Sequence, residues 1–168
     1  DTQKIESQIT EKTKAIIPVD FRGHPADLSE INHIAQKHNL FVIEDGAHSI
    51  GSNYKVGDEV FSCGDAQHVD FCTFSFHPVK HITTGEGGAI LTNNYDHFVK
   101  ASKLIKHGID RRDEMFSETE RRGSWYYDME NLGFNYRMND FQAALGFGQM
   151  GRYGKKSFLL HLSRYNLL

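Results

Sequence analysis

The chain has 168 residues, 39% hydrophobic and 24% charged, with a net charge of −3; this is one domain's length, apolar enough for a packed core and too weakly charged for a disordered chain. No block of Lys or Arg forms a basic surface, which argues against nucleic acid or an anionic membrane as a partner. No apolar stretch approaches a membrane span and the Asp1-Thr2-Gln3-Lys4 start is unlike a signal peptide, so the expectation is a globular protein of the cytoplasm.

In chain order, Ala15-Ile16-Ile17-Pro18-Val19 is the first run that reads as a buried strand. Asp27-Leu28-Ser29-Glu30 is a capping-box-like helix start. Ile31, Ile34 and Ala35 follow at helical spacing, and Asn39 is a left-handed stop. Leu40-Phe41-Val42-Ile43 is the next strand, so the chain runs strand, helix, strand. That crossover, with near-continuous apolar strands, predicts a parallel or mixed sheet covered by helices. Phe71-Cys72-Thr73-Phe74 and Ala89-Ile90-Leu91-Thr92 read as two further strands.

A second helix is predicted from about Tyr95 to Lys106, with Phe98, Leu104 and Ile105 on its inner face and Gly108 as its stop. Arg111 to Tyr127 is charged, then aromatic, and reads as a long loop. A third helix starts near Asn139, where Gln142 completes a capping box and Phe141, Ala144 and Leu145 form an apolar face. From Gly151 onward the chain carries Arg152, Lys155, Lys156 and Arg164 and no acid, unlike what precedes it.

Four segments could carry chemistry. Glu44-Asp45 stands where a strand runs out into Gly46-Ala47-His48-Ser49, and in open α/β sheets ligands gather at the carboxyl ends of strands. An acid at that position also serves as a turn residue or helix cap. Ser75-Phe76-His77-Pro78-Val79-Lys80 likewise follows a strand, although a single loop lysine is ordinarily a solvated charge. Thr83-Thr84-Gly85-Glu86-Gly87-Gly88 permits close backbone approach, but it has neither the Walker pattern nor the dinucleotide fingerprint and reads equally as a strand-entry turn. Cys63, His68, Cys72 and His77 can all ligate zinc. Their spacing matches no CxxC-based site and Cys72 falls inside a strand, so no metal is expected and the two thiols read as reduced.

Three segments together resemble one family: Glu44-Asp45-Gly46-Ala47-His48-Ser49-Ile50-Gly51, the run from Phe74 through Lys80 to Gly88, and Leu132-Gly133-Phe134-Asn135-Tyr136-Arg137-Met138-Asn139-Asp140-Phe141-Gln142-Ala143-Ala144-Leu145-Gly146. They look like the pyridoxal-phosphate-dependent nucleotide-sugar aminotransferases of the DegT/DnrJ/EryC1/StrS group, over about Asp1 to Gln149. Trp125-Tyr126-Tyr127-Asp128 and Ile82-Thr83-Thr84 look most like the members that aminate a UDP-linked 4-keto-6-deoxy-hexosamine.

The resemblance implies a fold-type-I architecture, with residues 1–150 as part of the cofactor-binding large domain, a mixed and mostly parallel sheet flanked by helices. Residues 151–168 form an atypical basic tail where the family continues toward a C-terminal domain. It further implies that Lys80 forms the Schiff base with pyridoxal phosphate and moves a proton between substrate and cofactor. Asp45 would pair with the pyridinium nitrogen, Ala47 would pack on the ring face, and His48 would hydrogen-bond the ring hydroxyl. Ser75 would bind the phosphate, and Asn135 would reach the phosphate of a neighbouring subunit, which makes a homodimer part of the site. His77 and His107 could face substrate and receive no role.

The implied substrates are a keto nucleotide sugar and an amino-acid donor, glutamate in the family. Family members also carry, upstream of the part matched here, a Gly-Thr or Gly-Ser helix start for the phosphate and an aromatic that stacks on the ring; neither is found in this chain. The chain by itself is therefore expected to be incomplete and inactive. The rival from another class is a non-catalytic remnant that serves only as a folding or interaction module. Related dehydratases replace the lysine with histidine, and Lys80 speaks against them.

Overall fold

The computed structural model describes residues 1–110 and 127–153, which fall into two compact units, residues 1–93 with 139 onward, and residues 94–138. Most of the segment predicted as a long loop, including Trp125-Tyr126, and the tail from Gly154 lie outside the described residues.

The first unit is built on a four-stranded sheet in the order β1 (Ala15–Ile16), β2 (Phe41–Asp45), β5 (Phe71–Ser75), β6 (Gly88–Leu91). The first three strands are parallel and β6 is antiparallel to β5, so the sheet is mixed, as expected. The crossover from β1 to β2 is α1 (Leu28–Lys37). Its N-cap Asp27 accepts from the Glu30 N–H at 3.2 Å, and Asn39 follows with a φ of 52°, the left-handed stop read from the sequence. Ile31 and Ala35 of α1 pack on Val42 of β2, with Ile5, Ile16, Leu40 and Val69 around them.

The sequence reading passed over the antiparallel hairpin of β3 (Asn53–Val56) and β4 (Glu59–Ser62). Gly57-Asp58 closes it in two residues, and Gly57 takes a φ of 60° that glycine adopts without strain. Its inner pair, Tyr54 and Phe61, stacks at 5.6 Å, and the Tyr54 hydroxyl lies 2.9 Å from Nδ1 of His68.

Two helical faces differ from expectation. In the second unit α2 (Tyr95–Leu104) buries no residue fully: of the three placed on its inner face Phe98 is exposed, while Leu104 and Ile105 are half-buried. The described strands of that unit are only the two-residue pair β7 (Ile109–Asp110) and β8 (Asp128–Met129), which is too little sheet to cover a helix. Gly108 ends the segment at a φ of 72°, its N–H donating to the Lys103 carbonyl at 2.9 Å. In α3 (Asp140–Met150) the Asn139–Gln142 capping box forms as predicted. The predicted apolar face does not turn inward: Phe141 is 90% exposed, Leu145 is exposed as well, and the buried positions are Gly146 and Gln149. The face that does turn inward meets the backbone of a loop, which rewards an amide over a hydrocarbon. No helix among the described residues is long and apolar enough to cross a membrane.

Along β2 the pleat sends Val42 and Glu44 to the face covered by α1, and Phe41, Ile43 and Asp45 to the other. Glu44 is 1% exposed. Its Oε2 accepts from the Gly64 N–H at 3.3 Å, whereas Oε1 has no partner of its own, and carboxylate oxygens of Asp20 and Glu44 and the Cys63 sulfur lie within 4.8 Å of one another. Asp20 is held by the Ala26 N–H at 2.9 Å and the Ser49 hydroxyl at 2.7 Å. Burial, followed by the hydrogen bond and charge of Asp20, pushes Glu44 from 4.5 up to about 7. A proton on Glu44 thus supplies a donor to a pocket otherwise crowded with acceptors.

This fixes the sign of a pH dependence. The folded state keeps a proton that the unfolded chain releases above pH 4.5, so the Glu44 contribution to stability is complete below that pH and is lost as pH rises to about 7. Glu44→Gln should remove this loss, shifting the difference in unfolding free energy between variant and parent by about 3 kcal/mol from pH 4.5 to pH 8. Urea unfolding of both proteins across that range measures it. A difference independent of pH would show that Glu44 is ionised throughout.

Candidate active site

β2 and β5 run parallel with Asp45 paired to Thr73, so their carboxyl ends open on the same edge of the sheet. By the alternation of the pleat, Asp45, Thr73 and Ser75 leave on the face opposite α1, Ser75 about 7 Å further along its strand. This is the crevice position that α/β sheets offer to ligands. Five of the six expected site residues, Asp45, Ala47, His48, Ser75 and Lys80, belong to the first unit and follow these two strand ends. Asn135 is in the second unit, where it bridges to Lys106 and is exposed.

Asp45 is anchored through its backbone, its N–H donating to the Pro18 carbonyl at 2.8 Å and its carbonyl accepting from the Asp20 N–H at 3.1 Å. Its side chain closes an Asx turn, Oδ1 accepting from the Ala47 N–H at 3.1 Å. The turn reading and the functional one are therefore compatible, because Oδ2 has no partner among the described residues. His48 accepts the Arg22 N–H on Nδ1 at 3.3 Å, which in the neutral ring puts the proton on Nε2 and makes that nitrogen a donor. Arg22 adopts a φ of 58° there, and its guanidinium lies 5.6 Å over the Phe21 ring.

After β5 the chain makes a loop from Phe76 to Gly87 that carries Lys80. Its base is closed by the Phe76 N–H donating to the Gly87 carbonyl at 2.8 Å. The Phe76 carbonyl accepts both the Thr84 N–H and the Thr83 hydroxyl, each at 3.0 Å. At the tip, the Lys80 N–H donates to the His77 carbonyl at 2.9 Å, and the half-buried Lys80 side chain makes no ion pair or hydrogen bond with a described residue. Ser75 receives only a long 3.4 Å bond from the His77 N–H. At the strand entry Gly88 allows close approach, since a Cβ there would meet the Phe74 carbonyl oxygen at 2.6 Å.

These groups fit pyridoxal phosphate. A free amine, a carboxylate with one open oxygen, an imidazole with an outward donor and a barely engaged hydroxyl share one sheet edge, and the described protein leaves them unsatisfied. Among the described residues the four candidate zinc ligands do not form one cluster; Cys63 instead groups with Asp20 and Glu44. His68 is engaged by Tyr54, His77 is exposed, and Cys63 and Cys72 are unpaired, buried thiols. Burial pushes Cys63 up to about 12 and raises Cys72 as well, so both are protonated and inert at neutral pH. Sequence reasoning gave no role to Asp20 or Gln149, whose side chains hold the Ala26 N–H and the Thr83 backbone. The signal for Gln149 was a polar residue four positions after Leu145 on the helix.

The chain is 39% identical over 153 residues to the UDP-4-amino-4,6-dideoxy-N-acetyl-beta-L-altrosamine transaminase of Campylobacter jejuni, covering 89% of this chain and 36% of that protein. It is 41% identical over 152 residues to the GDP-perosamine synthase of Caulobacter vibrioides, covering 90% of this chain and 36% of that one. Among solved structures, Spr1654 of Streptococcus pneumoniae in its PMP-form superposes with a TM-score of 0.75 at 30% identity, over 92% of this chain and 42% of its own. The chain thus spans little more than a third of the length of the curated relatives it matches. Residues 1–157 match the aminotransferase family as a whole, and on that match the chain belongs to the DegT/DnrJ/EryC1/StrS aminotransferase family.

Proposed function

We propose that this chain is the cofactor-binding part of a pyridoxal-phosphate-dependent aminotransferase that moves an amino group, from glutamate, to a keto nucleotide sugar in surface-glycan or deoxyamino-sugar biosynthesis. The observation that carries the reading is the placement of Asp45 and the Lys80 loop on the carboxyl ends of two adjacent parallel strands. The names of relatives, which span UDP- and GDP-linked sugars, support the substrate class. The UDP-linked 4-keto-6-deoxy-hexosamine is the narrower reading. The two unpaired cysteines support a reducing compartment, the cytoplasm.

Pyridoxal phosphate, when bound, supplies an electron sink conjugated to the carbon that loses its proton. The Lys80 amine would hold it, and the same nitrogen would carry a proton between the substrate carbon and the adjoining cofactor carbon. Asp45, through its open Oδ2, would pair with the pyridinium nitrogen and keep it protonated. His48 would donate from Nε2 to the ring hydroxyl, Ala47 would limit the ring on one face, and the Ser75 hydroxyl would donate to the phosphate. Asn135 would reach the phosphate of a second subunit, which would make a homodimer the working unit.

In the complete protein, borohydride treatment should leave a covalent cofactor adduct on Lys80, located by peptide mass spectrometry, and Lys80→Ala should abolish it. An adduct on Lys14 or Lys106 instead would overturn the assignment. Asp45→Ala should retain some cofactor yet slow amino transfer by several orders of magnitude, roughly 5 kcal/mol or more. Near-normal turnover would put another acid on the ring nitrogen. A complete protein that forms the adduct but transfers no amino group to any keto nucleotide sugar would favour the non-catalytic remnant.

A further inference from the structure

We propose that Gln149, together with Gln142 and Gly146 on the same face of α3, is a positioning element for Lys80; the proposal rests on the reading of Lys80 as the cofactor lysine. The three residues sit at i, i+4 and i+7 and so form one stripe along the helix. Gln149 is 8% exposed and pairs with both backbone groups of one residue. Its Oε1 accepts the Thr83 N–H at 3.2 Å and its Nε2 donates to the Thr83 carbonyl at 2.6 Å, with a longer bond to its own helix at Leu145. Gln142 donates from Nε2 to the Glu86 carbonyl at 3.0 Å while its Oε1 closes the capping box. Between them Gly146 lets the helix come close, since a Cβ there would stand 2.9 Å from Cγ2 of the buried Thr84.

The target of this stripe is the returning limb of the loop that carries Lys80. Thr83 and Thr84 are tied to Phe76, where the loop departs, so whatever holds Thr83 also sets the span that the seven residues from Phe76 to Ile82 must close. Packing alone does not account for the contact. The apolar residues of α3, Phe141, Leu145 and Phe147, are exposed, while the side chain chosen for burial is an amide that costs free energy unless both its ends are paired. Both ends are paired, to the peptide groups of one loop residue. A displacement of about 1 Å in a reacting group can cost about a hundredfold in rate, so fixing the frame of the lysine loop matters to the chemistry even though neither glutamine touches the reacting atoms.

The test uses the complete protein and the variants Gln149→Met and Gln142→Met, which keep side-chain length and helix propensity and delete the loop bonds, with Gly146→Ala as a wedge at Thr84. Amide hydrogen exchange is followed in the cofactor-free protein for the peptide covering residues 76–88, with peptides from α1 and β2 as the reference for intact folding. Exchange in 76–88 should quicken at least tenfold in Gln149→Met and less in Gln142→Met, with the reference peptides unchanged. In the loaded enzyme kcat should fall ten- to a hundredfold while KM for the amino donor stays within threefold. Unchanged exchange in 76–88 in Gln142→Met and Gly146→Ala, which are safe should Gln149→Met fold poorly, would overturn the proposal. Faster exchange with kcat retained would overturn it too, by making the stripe a stability feature alone. The borohydride adduct on Lys80 is scored separately, so a failure of the underlying reading shows as a missing adduct whatever the exchange result.

Discussion

A strand turns successive side chains to opposite faces, and at the carboxyl end of β2 this separates two neighbouring acids. Glu44 enters the helix-covered face, where it is buried, and Asp45 leaves on the other face toward the crevice. The register with β5 then decides everything that follows, because Asp45 opposite Thr73 places Ser75 and the lysine loop on the same edge. A slip of one residue would exchange the two acids, burying Asp45, the candidate for a ligand contact, and exposing Glu44. Val42, two residues before Glu44, prevents that slip by its packing with Ile31 and Ala35 of α1. The α1 core thus acts on the site through register, without touching it.

The mounting of the lysine follows a related logic. Residues 77–82 form no regular structure, so the position of Lys80 is set by how the ends of its loop are tied. The Phe76 carbonyl collects two donors from the returning limb, and its N–H meets Gly87. Such ties are directional where apolar packing is not, and they hold backbone in place without enclosing the side chain that must move. The proposed role of Lys80, bonding a cofactor and then moving a proton, would call for that combination of a fixed base and a free end.

The strands, α1 and its caps, and the N-terminus of α3 were legible because their signals are local: apolar runs, a Ser/Asp/Asn cap three residues before an acid or amide, a left-handed Asn39. The hairpin at Tyr54–Phe61 was missed although Gly57-Asp58 is a two-residue turn signal, because each arm is only four residues long and the adjacent Val60 and Phe61 break the alternation of the second. The faces of α2 and α3 were misread for a different reason. An apolar stripe predicts burial only if a partner surface exists, and for α3 the available partner is loop backbone, which selects Gln149 over Phe141. The residues of the candidate site were found through motif resemblance. Spacing alone left Asp45 as a turn residue and Lys80 as a surface charge, and the turn reading of Asp45 is itself correct for one of its two oxygens.

The division of the sheet into two faces also separates two sources of pH dependence that one residue of sequence would otherwise merge. Glu44 titrates near 7 in the fold, the range in which an enzyme's rate profile is commonly assigned to its catalytic groups. Ionising it places a second carboxylate beside Asp20 in a pocket closed to water, and like-charge repulsion there is strong because little solvent screens it. The Asp45 carbonyl accepts from the Asp20 N–H, so the buried acid pair and Asp45 share one stretch of backbone, and an ionisation inside the strand is to be told apart from one in the crevice.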